Sequence, residues 1–248
     1  MTAVEPAGVA VASAALELRD VHASYDKVEV LHGVSLVVPA STVVALLGPN
    51  GAGKTTTLRV ASGRLRPLSG RVFVEGADIR KKSPDHLARA GVCSVPEGRG
   101  IFPNLTVTEN LRMWTYRGAR TKRAAVEEAA FARFPRLAER RRQLAGTLSG
   151  GEQQMLAMSR ALSTNPKLLL LDEISMGLAP IIVSQLYELV AQIAAEGFAI
   201  LVVEQFAQTA LKVADRAAVM IQGRIELEGT PDEVGASVAE TYLRAKKG

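Results

Sequence analysis

The chain has 248 residues, of which 48% are hydrophobic and 22% charged, as in an ordinary globular protein with a substantial core. Its only cysteine, Cys93, excludes an internal disulfide and is typical of a reducing compartment. The longest apolar runs, such as residues 198–203, are far too short to span a bilayer. Residues 1–14 are predicted to form a flexible tail, because no basic segment opens the chain and Glu5 and Pro6 interrupt the apolar residues.

Basic residues outnumber acidic ones, giving a formal net charge of +5, which permits anionic partners without identifying any. The excess is concentrated in residues 112–142, which hold ten basic and three acidic residues. We interpret this stretch as a solvated helical face, with a surface near anionic lipid headgroups as the alternative. A nucleic-acid groove needs regularly interleaved aromatic side chains, which this stretch lacks, so no nucleic-acid partner is expected.

The first predicted elements are strands. Residues 16–19 alternate between apolar and polar side chains, and residues 34–38 form a second short run that Pro39 ends. Tyr25 is expected in the turn after the first strand. An apolar run at residues 43–47 then predicts a buried strand.

Directly after that strand, residues 48–55 match the pattern G-x-x-x-x-G-K-[ST] of a phosphate-binding loop, and a helix is predicted from residue 55 to 62. Glycines allow a tight turn that brings backbone N–H groups to a phosphate. The Lys54 ammonium is expected at the β- and γ-phosphates and the Thr55 hydroxyl at Mg²⁺. The residues predicted to contact a nucleotide are Gly48, Pro49, Asn50, Gly51, Ala52, Gly53, Lys54, Thr55 and Thr56.

Beyond the loop, apolar strand patterns and helical patterns alternate, which predicts an α/β fold with a mostly parallel, helix-covered sheet. Residues 97–165 are interpreted as a helical insertion between two parts of that sheet. The predicted elements are strands at 71–74, 92–95, 168–171, 199–203, 217–221 and 224–227, and helices from 84, from 106, near 180–196 and 205–214, and at 232–247.

Two further stretches carry chemistry. The four leucines at 168–171 run into Asp172 and Glu173, where an aspartate is placed to hold Mg²⁺ and a glutamate to polarise the attacking water. The alternative is an ordinary turn at a strand end. Earlier in the chain, Ser149 is spaced to cap a helix that begins with Gly150, Gly151 and Glu152, which predicts either an anion site or simple helix capping.

These residues together resemble the motifs of ABC-type ATPases, over residues 16–232. The resemblance implies a P-loop NTPase (RecA-like) core with a mostly parallel sheet, a small antiparallel β part and a helical subdomain. It also implies a head-to-tail dimer in which ATP lies between the P-loop of one chain and Ser149, Gly150, Gly151 and Glu152 of the other. Tyr25 resembles the aromatic residue that stacks on adenine.

The resemblance implies three segments. The tail, residues 1–14, precedes a single ATPase domain at 15–232. The core lobe of that domain takes residues 15–96 and 166–232, and its helical lobe takes 97–165. A C-terminal helix follows at 233–248.

A narrower resemblance, at residues 95–103, 175–180 and 203–205, is to the ATPase subunits of branched-chain amino acid importers. It implies ATP and Mg²⁺ as cofactors and a peripheral position on the cytoplasmic face of the inner (plasma) membrane. The implied partners are a second ATPase subunit, identical or different, two transmembrane permease subunits and, indirectly, a periplasmic or extracellular solute-binding protein. Importers for urea or other amides, which resemble these closely, are the alternative.

The chain departs from the general ABC pattern at four positions. Glu97 stands where the pattern has glutamine and Ile174 where it has proline. Ala179 stands where it has aspartate and Gln205 where it has histidine. The importer subgroup resembles this chain at 97, 179 and 205, so catalytic function is expected to persist. Glu97 keeps an oxygen ligand for Mg²⁺. The resemblance therefore implies Glu173, Gln205 and Glu97 as catalytic residues and Thr55, Glu97 and Asp172 as the metal ligands.

Other classes of nucleotide-binding protein fit less well. A GTPase switch protein needs an Asn-Lys-x-Asp motif, and no asparagine of the chain precedes a lysine. A nucleoside kinase does not need a motif like the one at residues 148–154. A soluble ABC ATPase of DNA repair or translation remains an alternative, although such proteins usually carry paired domains or a long coiled coil.

Overall fold

The structure is a computed structural model that describes residues 14–98, 100–114 and 120–245. The predicted N-terminal tail therefore lies outside the described residues, except for residue 14, as do Arg99, Arg117 and the last three residues of the predicted terminal helix. Within the described ranges, every helix is too short or too polar to cross a bilayer.

Two β-sheets form the core of the fold. The smaller sheet is antiparallel, with the strand order β2-β1-β4-β5. The larger has six strands in the order β10-β9-β3-β8-β7-β6, and all of its neighbouring pairs are parallel except β10 and β9. The strands are β1 (Ala14–Tyr25), β2 (Val28–Pro39), β3 (Val43–Leu47), β4 (Ser69–Val74), β5 (Ala77–Asp78), β6 (Val92–Val95), β7 (Leu168–Asp172), β8 (Ala199–Glu204), β9 (Arg216–Ile221) and β10 (Arg224–Gly229).

Nine α-helices are present in the described residues, together with one short 3-10 turn at Ala145–Thr147. The helices are α1 (Lys54–Ala61), α2 (Pro84–Arg89), α3 (Val107–Trp114), α4 (Arg120–Arg133), α5 (Pro135–Glu139), α6 (Gly150–Leu162), α7 (Pro180–Ala195), α8 (Ala207–Leu211) and α9 (Pro231–Ala245).

The larger sheet is covered on both faces, which explains why its strands are continuously apolar. Side chains alternate between faces along each strand. Leu169 and Leu171 therefore pack with helices α3 and α5 to α7, whereas Leu168 and Leu170 pack against the antiparallel sheet and α1. The apolar residues of β3, β7 and β8 are at most 1% exposed, so these parallel strands form the buried centre of the molecule.

The α/β fold with a mostly parallel sheet is confirmed, as is the order of the predicted elements. Several boundaries differ, and the first two strands are much longer than the predicted 16–19 and 34–38, because they pair with each other along Ala14–Tyr25 and Val28–Pro39. Tyr25 is the last residue of β1 rather than part of the turn, because pairing with β2 extends the strand as far as the Tyr25–Val28 pair. Helix α8 is only five residues long, since the chain from Gln205 to Phe206 leaves β8 before the helix begins. Pairing with β9 prolongs β10 to Gly229.

Three arginines of the basic stretch at 112–142 form ion pairs with acidic residues. These ion pairs support the interpretation as a solvated helical face. They are Arg112–Glu127 at 2.6 Å, Arg133–Glu196 at 2.6 Å and Arg140–Glu152 at 2.9 Å.

Replacing Leu201 by alanine is expected to lower the free energy of unfolding by about 2–5 kcal/mol, because this side chain of β8 is fully buried and its loss leaves a cavity. For a chain of this length, each kcal/mol lowers Tm by about 2–4 °C. Thermal unfolding of the full-length chain measures the effect. Val28→Ala is the control, since Val28 is 67% exposed and its truncation should change stability by no more than about 0.5 kcal/mol. Equal losses in both variants would contradict a central position for β8.

Candidate nucleotide-binding site

The candidate site lies where β3, β7 and β8 end. The three strands are parallel neighbours, and their register pairs Leu47 with Glu204 and Asp172 with Val203. Their carboxyl ends therefore meet at one edge of the sheet, the edge at which open parallel sheets bind ligands. The phosphate-binding loop leaves β3 at this edge and leads directly into α1.

Two glycines of the loop are required by its packing. A Cβ atom on Gly48 would lie 2.4 Å from the Met220 carbonyl oxygen in β9, so the loop runs against the neighbouring strand with no room for a side chain. Gly53 has a φ of 108°, a conformation that disfavours other residues, and its Cβ atom would lie 2.9 Å from Leu31. The loop is further tied to the hairpin after β9 by a 2.7 Å hydrogen bond from the Gly223 N–H to the Ala52 carbonyl.

Helix α1 begins without a side-chain cap. Its N-cap is Gly53, which offers no side-chain oxygen to the N–H groups of the first turn. A helix N-terminus with unsatisfied N–H groups and a positive dipole end is an anion-binding site. The predicted strand–loop–helix context of the motif is thus present in the structure.

The Lys54 side chain lies inside the curl of the loop. It is 4% exposed, and its ammonium donates to the carbonyls of Gly48 at 2.9 Å and Pro49 at 3.1 Å. The same Nζ atom lies 3.2 Å from Glu173 Oε1. The structure therefore brings together the predicted phosphate-binding lysine and the predicted catalytic glutamate, which are far apart in the sequence.

Oxygen atoms of three predicted metal ligands gather beside α1. The Thr55 hydroxyl donates to Asp172 Oδ1 at 3.1 Å. Both residues and Glu97 line one cavity of about 200 Å³. Hydroxyl and carboxylate oxygens are the ligands that Mg²⁺ prefers, so this donor set fits the ion.

Asp172 carries a perturbed carboxyl group. Burial raises the pKa of Asp172 above its ordinary value, and the negative charges of Glu173 and Glu97 raise it further. The hydrogen bond from Thr55 and the charge of Lys54 act in the opposite direction. The three carboxylates thus outnumber the positive charge of Lys54, and a cation would offset the excess.

Glu173 is held in an unusual backbone conformation. Its φ of 46° lies in the left-handed region, which costs a residue with a side chain about 1–3 kcal/mol. Its N–H donates to the Val203 carbonyl in β8 at 3.0 Å. Strain of this kind is typical of functional residues and persists where neighbouring contacts enforce it.

The predicted signature segment forms a complete capping box at the start of α6. The Ser149 hydroxyl accepts from the Glu152 N–H at 3.3 Å, and Glu152 accepts from the Ser149 N–H at 2.9 Å. A Cβ atom on Gly151 would lie 2.5 Å from Ile182, so the glycine permits close packing of α6 on α7. The Glu152 carboxylate also pairs with Arg140 and therefore acts as a cap within its own chain.

Tyr25 lies over helix α1 beside the loop. Its hydroxyl accepts a hydrogen bond from Arg59 at 3.0 Å and lies 3.5 Å from the hydroxyl of Thr56. The Arg59 guanidinium is 5.6 Å from the centre of the ring, and Tyr25 remains 37% exposed. Sequence patterns do not indicate Arg59 as the partner of Tyr25, because the spacing of the two residues follows no local rule.

Gln205 follows β8 directly and is partly buried at the same edge of the sheet. The residue before it, Glu204, was not predicted to take part in the site. Glu204 is 2% exposed and accepts hydrogen bonds from Ser175 and Tyr187. Burial raises the pKa of Glu204, against the effect of those hydrogen bonds. The one feature of the sequence that could have indicated a role for Glu204 is its charge at the end of an otherwise apolar strand.

Taken together, the loop, the lysine and the carboxylates at the strand ends define a nucleotide-binding protein of the P-loop class. The family model described as "ABC transporter" matches residues 31–175, more than half of the chain. The protein therefore belongs to the ABC transporter family, whose ATP-binding domains are ATPases that drive transport.

Relatives and solved structures agree with this family. The chain is 46% identical over 206 residues to the high-affinity branched-chain amino acid transport ATP-binding protein BraG of Pseudomonas aeruginosa, covering 83% of this chain and 88% of that protein. It is 34% identical to the probable branched-chain amino acid transport ATP-binding protein LivF of Archaeoglobus fulgidus, covering 86% and 91%. The ADP conformation of MJ1267, an ATP-binding cassette of an ABC transporter, superimposes with a TM-score of 0.83 at 28% identity, covering 95% and 99%.

Replacing Gly48 by alanine is expected to abolish tight ATP binding, because the added Cβ would overlap the Met220 carbonyl and push the loop off β9. Titration of the purified chain with a fluorescent ATP analogue measures the affinity. Gly76→Ala is the control. It introduces the same methyl group at a φ of 74°, with nothing within 4 Å, so it should cost about 1 kcal/mol of stability and leave ATP binding intact. Unchanged ATP affinity in Gly48→Ala would contradict the assigned role of the loop.

Proposed function

We propose that this chain is the ATP-hydrolysing subunit of an importer for branched-chain amino acids. The observation that carries the proposal is its 46% identity to BraG along 88% of that protein's length. An importer for urea or other amides and a soluble ABC ATPase without a transport role are the alternatives.

The proposal includes partners. The chain works as a head-to-tail dimer with a second ATPase subunit, either a copy of itself or a related chain. The dimer docks on two transmembrane permease subunits at the cytoplasmic face of the membrane, and a solute-binding protein supplies the amino acid from outside. Nucleic acid has no part in this function.

In the proposed site, backbone N–H groups of the loop and of the first turn of α1 bind the phosphates. The residues that bind or cover the nucleotide in this chain are Tyr25, Gly48, Pro49, Asn50, Gly51, Ala52, Gly53, Lys54, Thr55 and Thr56. The N-terminus of α6 from the partner subunit covers the other side of the same nucleotide. There, Ser149, Gly150 and Gly151 donate hydrogen bonds to it, and Glu152 stabilises the turn at Ser149. Phosphate binding draws the Lys54 ammonium from the loop carbonyls to the β- and γ-oxygens.

Thr55, Asp172 and Glu97 are the proposed ligands of Mg²⁺. When bound, the ion neutralises charge that develops on the transferred phosphoryl group. The charge balance of the cluster supports this assignment. The buried ammonium of Lys54 lies 3.2 Å from Glu173 and acts on the buried carboxylate of Asp172, and a divalent cation offsets the surplus of negative charge.

Glu173 is the proposed general base, which accepts the proton of the attacking water and so directs its oxygen to the γ-phosphorus. Gln205 takes the position at which the general family has histidine. Its amide offers two N–H donors to a γ-phosphate oxygen, and it does not titrate near neutral pH. Tyr25 stacks on the adenine with its hydroxyl held by Arg59.

The proposed domain division assigns residues 15–96 and 166–232 to a core lobe and 97–165 to a helical lobe, followed by a C-terminal helix at 233–248. The chemistry that uses ATP belongs to the core lobe, while the helical lobe carries the segment that meets the partner's nucleotide. Glu97 lies at the junction of the two lobes and is a proposed catalytic residue beside Mg²⁺, which makes it the link between the ion and the helical lobe.

Glu173→Gln is expected to retain MgATP binding and to lose about 10²–10⁴-fold in hydrolysis, because the amide cannot accept the water proton. This loss corresponds to about 3–5 kcal/mol of barrier. Phosphate release by the membrane complex, purified through this chain, measures turnover, and nucleotide titration measures binding. Glu226→Gln, the same chemical change at an exposed position of β10, should behave as the parent. Normal turnover in Glu173→Gln would exclude Glu173 as the base.

Affinity purification of the chain from detergent-solubilised membranes is expected to recover two permease subunits.

Cells that lack the chain should lose uptake of labelled leucine and regain it with the parent chain but not with Glu173→Gln, since uptake needs ATP hydrolysis. Loss of urea or amide uptake with normal leucine uptake would favour the first alternative. Recovery of the chain without any membrane subunit would favour the soluble ATPase.

A further inference from the structure

The last residue of β8 makes contacts that no motif explains. Glu204 is 2% exposed and ends a strand of five fully buried apolar residues. Its own carbonyl accepts the N–H of Gly48, the first residue of the phosphate-binding loop, at 3.3 Å. A carboxylate that is removed from water at this position needs strong hydrogen-bond donors to offset the lost hydration.

Three donors surround the carboxylate. Ser175 supplies two of them, with its N–H 3.1 Å from Oε1 and its hydroxyl 2.8 Å from Oε2. The third is the Tyr187 hydroxyl in α7, 2.6 Å from Oε1. Both oxygens of Glu204 are therefore engaged, and the pair of bonds to Ser175 fixes the position of the backbone that follows β7.

The segment fixed in this way contains Glu173. Glu173 lies two residues before Ser175 and has the strained φ of 46°. Its N–H is bound by the carbonyl of Val203, and Ser175 is bound by the carboxylate of Glu204. Two consecutive residues of β8 thus hold the chain on both sides of the strained residue, which is the arrangement that such strain requires.

We propose that Glu204 is a positioning residue for hydrolysis, which acts through Ser175 to hold the Glu173 carboxylate in its productive place. The same strand end holds the loop through Gly48 and carries Gln205 as its next residue. The end of β8 therefore supports the base through the Glu204 carboxylate and the phosphate-binding loop through the Glu204 backbone carbonyl. The inference rests on the proposed role of Glu173 as the base.

The test compares kcat with ATP affinity in the membrane complex purified through this chain. Glu204→Ala is expected to lower kcat by about 10–10²-fold, the effect of a misplacement of about 1 Å, while the Kd for ATP changes less than about threefold. Glu204→Gln should keep kcat within a few-fold of the parent, because the amide oxygen can still accept from the Ser175 N–H and the amide N–H₂ can donate to the Ser175 hydroxyl.

Tyr187→Phe is the matched control, since it removes a hydrogen bond to the same carboxylate but leaves both bonds to Ser175. It should lower Tm and leave kcat within about threefold. Equal losses of kcat in Glu204→Ala and Tyr187→Phe would overturn the inference, because turnover would then not depend on the bonds between Glu204 and Ser175. An unchanged kcat in Glu204→Ala, or equal losses in Glu204→Ala and Glu204→Gln, would also overturn it.

Glu204→Asp replaces the alanine variant if the latter does not fold, since it keeps the charge but withdraws the carboxylate from Ser175. A reduced kcat with unchanged ATP affinity supports the inference, and an unchanged kcat overturns it. Glu173→Gln is measured beside these variants. Normal turnover in Glu173→Gln refutes the base assignment and this inference with it, whereas loss in Glu173→Gln with normal kcat in Glu204→Ala refutes this inference alone.

Discussion

Parallel hydrogen bonding among β3, β7 and β8 is the constraint on which the site depends. Three strands that are distant in the sequence must end together, because neighbouring parallel strands run in the same direction. The register then sets Leu47 beside Glu204 and Asp172 beside Val203. A shift of one residue in this pairing would move every side chain of the strand to the opposite face and separate these groups.

Burial in the apolar sheet also strengthens the electrostatic interactions of the charged residues at the site. Lys54 and Asp172 are almost completely buried, at 4% and 5% exposure, so their interactions are less screened by water than those of surface ion pairs. The same burial makes any uncompensated charge costly. At the proposed site, a nucleotide and its cation would take over the internal contacts of Lys54 and offset the surplus carboxylates.

Departures from the general ABC pattern are accommodated by local chemistry. Glu97 brings an oxygen to the cavity shared with Thr55 and Asp172, which suits a hard cation as well as glutamine would. Ala179 is the N-cap of α7 and has no side chain that could cap the helix, but Pro180 at the first helical position needs no hydrogen-bond partner there. Helix α7 is also anchored to the end of β8 by the hydrogen bond from the Tyr187 hydroxyl to Glu204.

The sequence by itself determined the features that depend on neighbouring residues. Glycine spacing defined the loop, reciprocal capping predicted the start of α6 at Ser149, and uninterrupted leucines predicted β7 with its acidic end. Short-range patterns of this kind are visible because backbone geometry links residues only a few positions apart.

Tertiary structure alone decided which distant groups meet. The partners Lys54 and Glu173, Tyr25 and Arg59, and Glu204 and Tyr187 come from different elements and share no spacing rule. The sequence predicts Gln205 after β8 as a site residue but assigns no role to Glu204 beside it, because a glutamate becomes informative only when its burial and its hydrogen-bond donors are known. Such contacts follow from strand order and register, which are set by the packing of the whole sheet.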